Sequence, residues 1–237
     1  MQSKLKEKIV VIHQPDFLPH LAFFGKFLKA DLWVILDNVQ FVHKTSRSWN
    51  NRDKIKTPKG EKWITISVQG CSGKNAINEI LLSSEVNWKE NHLNLIKNNY
   101  KKAAYFHEVF PYIEDLYSSN CVKLVDFNLK SIAMLLKLFD IEISSVLASS
   151  LGTGGKKNEL LVDILKKVGA CVYLSGTGAK DYFIQKPFDD AGIKVIWHEF
   201  IHPVYPQLYG EFIPYLSSID LLFNCGIKQS REILRRC

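Results

Sequence analysis

The sequence predicts an α/β protein with a mostly parallel sheet flanked by helices, and three observations support this. Two apolar runs, at 9–13 and 32–36, are separated by one amphipathic helical segment, which is the spacing of a parallel crossover. Three further apolar runs follow at 143–148, 170–174 and 193–197. A block with helical periodicity lies between the two groups of strands. We therefore predict one α/β domain over 1–237 with a helical insertion over 86–140.

The first half of the chain begins with a strand that is apolar up to its last residue, His13, which is typical of a buried parallel strand. Residues 21–30 carry Leu21, Phe24 and Phe27 at helical spacing. Residues 38–60 are polar and basic without a sustained period, so we predict a long loop there. Residues 62–68 alternate as a strand does.

The second half begins with three predicted helices, at 88–102, 106–118 and 122–138, whose apolar residues recur at i, i+3, i+4 and i+7. A helix at 158–168 is closed by Gly169, a residue suited to a helix C-terminus. Two helical segments at 214–223 and 229–236 end the chain. No repeat or low-complexity tract interrupts this order.

Composition narrows the class of protein. The 237 residues are 46% hydrophobic and carry a formal net charge of +7, which suits anionic partners. The basic residues are scattered over helical segments, so we expect no nucleic-acid partner. The five cysteines are widely spaced and form no CxxC pair, which predicts free thiols, a cytoplasmic location and no metal site. No apolar run approaches the roughly 18 residues that a membrane span needs.

Two polar residues end neighbouring predicted strands and are the candidate catalytic pair. His13 is a candidate acid or base near neutral pH, and Asp37 is placed to orient its imidazole. The alternatives are structural. Each side chain would then hydrogen-bond its own loop.

A dense group of polar residues surrounds these strand ends and is the candidate substrate-binding region. Arginine and asparagine donors suit phosphate, carboxylate or sugar hydroxyls, and a tryptophan among them is able to stack on a base or sugar ring. The alternatives are a solvated basic loop and a nucleic-acid groove, which would need several interleaved aromatic residues along an extended surface. The candidates here are Gln14, Gln40, Arg47, Trp49, Asn50, Asn51, Arg52 and Lys56.

Two later segments add candidates. A glycine-containing turn directly after a strand is able to hold an anion, either a phosphate or a developing oxyanion, and this choice stays open. A segment with two prolines would hold polar and aromatic side chains in a fixed geometry. The residues are Ser175, Gly176, Gly178 and Tyr182 in the turn, and His202, Tyr205 and Gln207 in the proline segment.

At these residues the chain resembles the WbqC-like protein family from end to end. The departure is His20, where such sequences usually carry Trp, and this weakens His20 as a general catalytic residue. The matching blocks are I-H-Q-P-D-F-L-P at 12–19, F-x-K-F-L-K-A-D at 24–31, V-I-L-D-N-V-Q-F at 34–41, N-N-R-D-K-I-K-T-P-K-G at 50–60, W-I-T-I-S-V at 63–68, G-K-K-N-E-L-L at 155–161, Y-L-S-G-T-G-A-K-D-Y at 173–182, H-P-V-Y-P-Q-L-Y-G-E-F-I-P-Y-L-S at 202–217 and D-L-L-F-N-C-G at 220–226.

The resemblance implies a function in bacterial surface-polysaccharide (O-antigen) biosynthesis. We expect a transferase that modifies a nucleotide-linked amino sugar by N-acyl or N-aminoacyl transfer. The expected co-substrate is an acyl thioester of coenzyme A or of a carrier protein, with no tightly bound cofactor. An acyl carrier protein and a second copy of the chain are further candidate partners. The alternatives are nucleotidylyl or phosphoryl transfer, with a role for both His13 and His20, and a non-catalytic subunit of a glycan-assembly complex.

Overall fold

The computed structural model describes residues 7–42, 48–71 and 74–237. Contacts divide these residues into two compact units. We call the first the sheet unit; it comprises 7–14, 26–37 and 143–200. The second, the helical unit, comprises the described residues of 15–25, 38–142 and 201–237. The prediction of one domain with a helical insertion stays a prediction.

The strands and helices follow one another in a simple order. The strands are β1 (Ile9–His13), β2 (Leu32–Ile35), β3 (Arg52–Thr57), β4 (Gly60–Thr65), β5 (Ser144–Leu147), β6 (Val172–Gly176) and β7 (Lys194–His198). The α-helices are α1 (Leu21–Phe27), α2 (Trp88–Tyr100), α3 (Phe106–Ser118), α4 (Leu124–Phe139), α5 (Asn158–Lys167), α6 (Lys186–Asp190) and α7 (Ile219–Arg235). Short 3-10 helices lie at Ile77–Glu79, Ala148–Leu151 and Thr177–Tyr182.

The sheet unit contains a five-stranded sheet in the order β5-β2-β1-β6-β7, with every pairing parallel. The predicted α/β class with a mostly parallel sheet is therefore confirmed. The sheet's apolar side chains, such as Val10 and Val34, pack with Ile164 and Leu165 of α5. Because the strands are parallel, the side chains that follow their last residues are brought to one edge of the sheet.

The helical unit contains the predicted block of helices, which the structure places at α2, α3 and α4. Aromatic side chains of α2 and α3 stack on Phe223 of the last helix, with ring centroids 4.7 Å away for Tyr100 and 5.9 Å away for Phe106. The final two predicted segments form one helix, α7, which starts later than predicted and is kinked at Gly226 (φ 74°, ψ 168°). A side chain at 226 would bring its Cβ within 2.5 Å of the Tyr105 ring, so this glycine allows the close contact.

The prediction of a loop over 38–60 is wrong for the last part of that range, where β3 pairs antiparallel with β4. This strand was missed because four of its six residues are charged and only Ile55 is apolar in its interior. The following strand also begins earlier than predicted, at Gly60. Among the described residues, no helix is long and apolar enough to cross a membrane.

Candidate functional site

Three separate segments of the helical unit are joined around β3. His20 forms an antiparallel bridge with Ser217, whose backbone N–H also donates to the Lys54 carbonyl at 2.8 Å. The Phe17 N–H donates to the Trp49 carbonyl at 3.0 Å. Three of the sequence blocks are therefore held in one place by backbone hydrogen bonds, although they are up to 200 residues apart in the chain.

One face of the β3–β4 hairpin carries a row of three cations, Arg52, Lys54 and Lys56, which we call the basic row. Side chains alternate along a strand, so residues 52, 54 and 56 share a face. Trp63 lies directly across from Lys54 in the register. The guanidinium carbon of Arg52 lies 4.1 Å from the centroid of the Trp63 ring, and Lys54 Nζ lies 5.1 Å away. Lys54 also contacts Glu61 at 2.8 Å.

A continuous strip of rings runs beside this row, and we call it the aromatic wall. Its members are His20, Trp49, Trp63, His202 and Tyr215. Ring centroids are 5.3 Å apart for Trp49 and Trp63, 5.7 Å for His20 and Trp49, 5.8 Å for His20 and Tyr215, and 5.0 Å for His202 and Tyr215. Tyr215 is 46% exposed, and the other four rings are half-buried. Such a wall offers ring faces for stacking beside positive charge.

His202 lies in the wall with a defined tautomer. Its Nδ1 lies 2.9 Å from the Pro203 carbonyl oxygen, which only accepts, so Nδ1 carries the hydrogen. Burial lowers the pKa of His202, and the hydrogen bond to Pro203 opposes this. The ring is therefore neutral near pH 7, with its lone pair on Nε2.

A buried polar network surrounds the carboxylate of Asp220, which is fully buried. Tyr100 Oη donates to Oδ1 at 2.8 Å. Tyr205 Oη and Gln207 Nε2 donate to Oδ2 at 3.0 and 2.8 Å. Lys56 Nζ donates in turn to Gln207 Oε1 at 2.9 Å. This network fixes the proline segment and the end of the basic row in one geometry.

Burial has opposite effects on the two charged members of this network. It raises the pKa of Asp220, while donation by Tyr100 and Tyr205 and the charge of Lys56 act to lower it. Burial lowers the pKa of Lys56, and the charge of Asp220 raises it. Three donors directed at one carboxylate favour its ionised form. Lys56 and Tyr205, which we predicted to bind substrate, are thus themselves buried and engaged inside the protein.

The two predicted asparagine ligands are also buried. Asn50 Nδ2 donates to Asp16 Oδ1 at 3.0 Å. Asn51 Nδ2 donates to the Ile66 carbonyl at 3.2 Å, and its Oδ1 accepts from Ser48 Oγ at 3.3 Å. These contacts tie the segment before β3 to its surroundings. Arg47 lies outside the described residues. Gln40 is exposed, and its backbone forms an isolated antiparallel bridge with Ala76.

Several side chains of this site were not among the predicted candidates. Asp53 is buried, and burial raises the pKa of its carboxyl above the usual range, as does the nearby Asp16. Trp63 and Tyr215 complete the wall, and Tyr100 and Asp220 complete the network. In R-D-K-I-K-T the cations occupy every second position, so reading this segment as a strand would have placed Arg52, Lys54 and Lys56 on one face. No local signal marks Tyr100, whose partner Asp220 is 120 residues away.

In the sheet unit, His13 ends β1 and pairs in register with Ile35 of β2, two residues before Asp37. His13 Nδ1 lies 2.9 Å from the Gln14 carbonyl oxygen, so Nδ1 carries the hydrogen and Nε2 has the lone pair of the neutral ring. Asp37 accepts from the backbone N–H of Ser149 at 3.0 Å and from Ser149 Oγ at 2.6 Å. The pairing of His13 with Asp37 stays a prediction, as does the binding role of Gln14.

The predicted anion turn has a different local structure from the one its glycines suggest. Ser175 and Gly176 are the last residues of β6, and Ser175 Oγ donates to the Tyr173 hydroxyl at 3.3 Å. Gly178 and Tyr182 lie in the short 3-10 helix that follows. Gly176 is extended (φ −75°, ψ 150°), so no left-handed residue turns its backbone N–H toward an anion. A binding role for these four residues stays a prediction.

The fold and the candidate site define this chain as an α/β protein that has a parallel sheet and a candidate ligand-binding surface of aromatic and basic side chains. The chain belongs to the WbqC-like protein family, which matches residues 14–232. It is 32% identical over 238 residues to the uncharacterized protein Rv1507c of Mycobacterium tuberculosis, an alignment that covers 97% of this chain and 99% of that protein. No solved structure was found to match. Among the described residues, no group of three or more His, Cys, Asp or Glu is placed to hold a metal ion.

Proposed function

We propose that this protein is a transferase that modifies a nucleotide-linked amino sugar by N-acyl or N-aminoacyl transfer, in surface-polysaccharide biosynthesis. The observation that carries the proposal is the aromatic wall beside the basic row. A sugar nucleotide combines a planar base, a sugar ring and a diphosphate, and these need ring faces and cations next to one another.

Ligand binding is the better supported half of the proposal. Stacking of one base on an aromatic ring contributes on the order of 1–3 kcal/mol. The guanidinium carbon of Arg52 lies 4.1 Å from the centroid of the Trp63 ring, so this contact places a group that is able to donate to phosphate oxygens beside the wall. Lys54 adds a second charge on the same face. The buried Lys56–Asp220 network stabilises the strand that presents both cations.

Transfer requires a base that converts the sugar ammonium to an amine. The base removes one proton, and the amine nitrogen then attacks the thioester carbonyl carbon. A C–N bond forms as the C–S bond breaks, and the second nitrogen proton ends on the departing thiolate. His13 is the proposed base, because its contact with the Gln14 carbonyl leaves Nε2 as the nitrogen with the lone pair. Such a base contributes about 10²–10⁴-fold to a rate.

The test is binding and turnover with the full chain. A nucleotide diphosphate amino sugar at 100 times its Kd should stabilise the protein by about 2.7 kcal/mol in thermal melts. Arg52→Gln and Trp49→Ala should each weaken binding about tenfold or more. Lys62→Gln is the matched control, since Lys62 is exposed on β4 and lies outside the basic row. Equal affinity in all three variants, or no binding, would overturn the proposal.

Turnover is then measured with coenzyme A thioesters and with Mg²⁺-ATP in separate reactions. His13→Gln should remove N-acylation while leaving sugar-nucleotide affinity unchanged. Reaction with Mg²⁺-ATP alone would instead identify a phosphoryl-transfer enzyme.

A second candidate function, a non-catalytic sugar-nucleotide binding subunit, is favoured by one observation. Both carboxylate oxygens of Asp37 accept hydrogen bonds from Ser149, which is the arrangement of a structural carboxylate. Tight binding without turnover on any thioester would support this candidate over the transferase.

A further inference from the structure

Two lysines and a histidine converge at the carboxyl ends of β6 and β7 in the sheet unit. His198 is the last residue of β7 and pairs in register with Gly176, the last residue of β6. Lys29 Nζ lies 3.4 Å from His198 Nε2. Lys26 Nζ lies 3.8 Å from the position that a Cβ on Gly176 would take. These three side chains are not among the candidates predicted from the sequence.

The contacts of this cluster define the proton positions. An ammonium group only donates, so Lys29 donates to Nε2 of His198, and the neutral ring carries its hydrogen on Nδ1. Burial, followed by the charges of Lys29 and Lys26, lowers the pKa of His198 to about 4. The cluster therefore brings two lysine side chains together with one imidazole N–H donor.

Burial shows that the cluster is built into the fold. His198 and Lys26 are only 6% and 5% exposed, whereas Lys29 lies at the surface. Gly176 adopts an ordinary extended conformation that any residue accepts. The backbone conformation at position 176 therefore does not require glycine. The absence of a side chain there leaves space beside the Lys26 ammonium.

We propose that Lys26, Lys29 and His198 form a binding site for a phosphate group at the carboxyl edge of the parallel sheet. Ligands of open α/β sheets bind beyond the carboxyl ends of the strands, where this cluster lies. A phosphate dianion matches two ammonium charges and offers three acceptor oxygens to the donors. The site uses neither the aromatic wall nor the basic row, so it does not depend on the proposed transferase function.

The first test is calorimetric titration of the full chain with inorganic phosphate and pyrophosphate at low ionic strength. Lys29→Gln should weaken binding at least tenfold, because it removes one charge at an exposed position that folding does not need. Lys194→Gln is the matched control, an exposed lysine at the start of β7, and should change affinity less than twofold. Equal affinities in the two variants, or no binding at millimolar anion, would overturn the site.

Gly176→Ala is a second variant that does not alter charge. Its methyl group fits at an ordinary contact distance from Lys26 Nζ, so the fold should be kept while the anion is excluded. We expect a several-fold loss of pyrophosphate affinity and an unchanged melting temperature without ligand. Unchanged affinity would contradict the placement of the anion beside Gly176.

Coenzyme A, 3′-dephospho-coenzyme A and a nucleoside diphosphate distinguish the sources of the phosphate. If coenzyme A binds more tightly than its dephospho form, and Lys29→Gln removes this difference, the site binds a phosphomonoester. Equal binding of both forms, also lost in Lys29→Gln, would identify a diphosphate. Binding of all three compounds that is insensitive to Lys29→Gln would reject the site.

Discussion

Two buried carboxylates, Asp37 in the sheet unit and Asp220 in the helical unit, are satisfied in different ways. Asp37 is 2% exposed and accepts hydrogen bonds from the backbone N–H and the hydroxyl of one residue, Ser149. Asp220 is fully buried and accepts from Tyr100, Tyr205 and Gln207, side chains that come from separate parts of the chain.

The difference shows what each carboxylate does for its unit. At the end of β2, Asp37 accepts from two groups of one residue, Ser149, so the loss of the hydroxyl leaves the backbone donor in place. Asp220 instead joins α2, the proline segment and, through Gln207, Lys56 of β3. Removing it therefore leaves several buried polar groups without an acceptor, and these groups support the strand that carries the basic row.

The largest expected effect is that of Asp220→Ala. The substitution leaves the hydroxyls of Tyr100 and Tyr205 buried without their acceptor, and it removes the negative charge that acts on the buried Lys56 ammonium. We therefore expect a loss of about 3–5 kcal/mol in the free energy of unfolding. Asp190→Ala is the control, because Asp190 forms an exposed i,i+4 pair with Lys186 and should change stability by about 0.5 kcal/mol or less. Urea denaturation measures both, and a loss below about 1 kcal/mol for Asp220→Ala would show that the network is not needed.

Acid should also destabilise the helical unit, through His92. His92 Nε2 donates to the Thr65 carbonyl at 2.9 Å, and its Nδ1 accepts from the Tyr117 hydroxyl at 3.0 Å. Burial lowers the pKa of His92 from 6.5 to about 4, and the hydrogen bond to Thr65 opposes this. The unfolded chain therefore binds the proton more readily, so stability is complete above pH 6.5 and is lost as the pH falls toward 4.

The expected loss over this pH window is about 3 kcal/mol, at about 1.4 kcal/mol per unit of pKa difference. Denaturation curves between pH 7 and 4 measure it, with His92→Gln as the variant that removes the titrating group. His198, whose pKa is also lowered to about 4, adds a slope of the same sign in the sheet unit, and His198→Gln separates the two. A parallel pH profile for wild type and His92→Gln would contradict the assignment.

The sheet unit could be predicted from the sequence because its strands are continuous apolar runs. Such runs are recognisable without knowledge of their neighbours, and β1, β2 and β6 lie within one or two residues of their predicted bounds. Strand β3 could not be recognised in this way. Arg52, Lys54 and Lys56 make it look like a solvated loop, and what stabilises it is pairing with β4 and contacts to distant segments.

The sequence predicts only those residues of the candidate site that are recognisable by their chemistry or by their position at the end of a predicted strand. Trp49, Arg52 and His202 were identified by their chemistry, and the structure places them in or beside the aromatic wall. Whether a polar side chain faces solvent or a buried partner depends on contacts far along the chain. Asn50 and Tyr205 resemble ligand contacts in the sequence, yet both are buried against partners that no local pattern reveals.

The smallest effect, and the closest test of the comparison, is that of Ser149→Ala. It removes the 2.6 Å hydroxyl contact to Asp37 but keeps the backbone N–H donor, so we expect a loss of about 1–2 kcal/mol. Ser150→Ala is the matched control in the same 3-10 helix, where the hydroxyl donates only to the Leu147 carbonyl at 2.7 Å, and should cost about 0.5 kcal/mol or less. Urea denaturation of both variants decides the result. A loss as large as that of Asp220→Ala would mean that the remaining backbone donor does not suffice for Asp37, and that the two carboxylates do not differ in the way described.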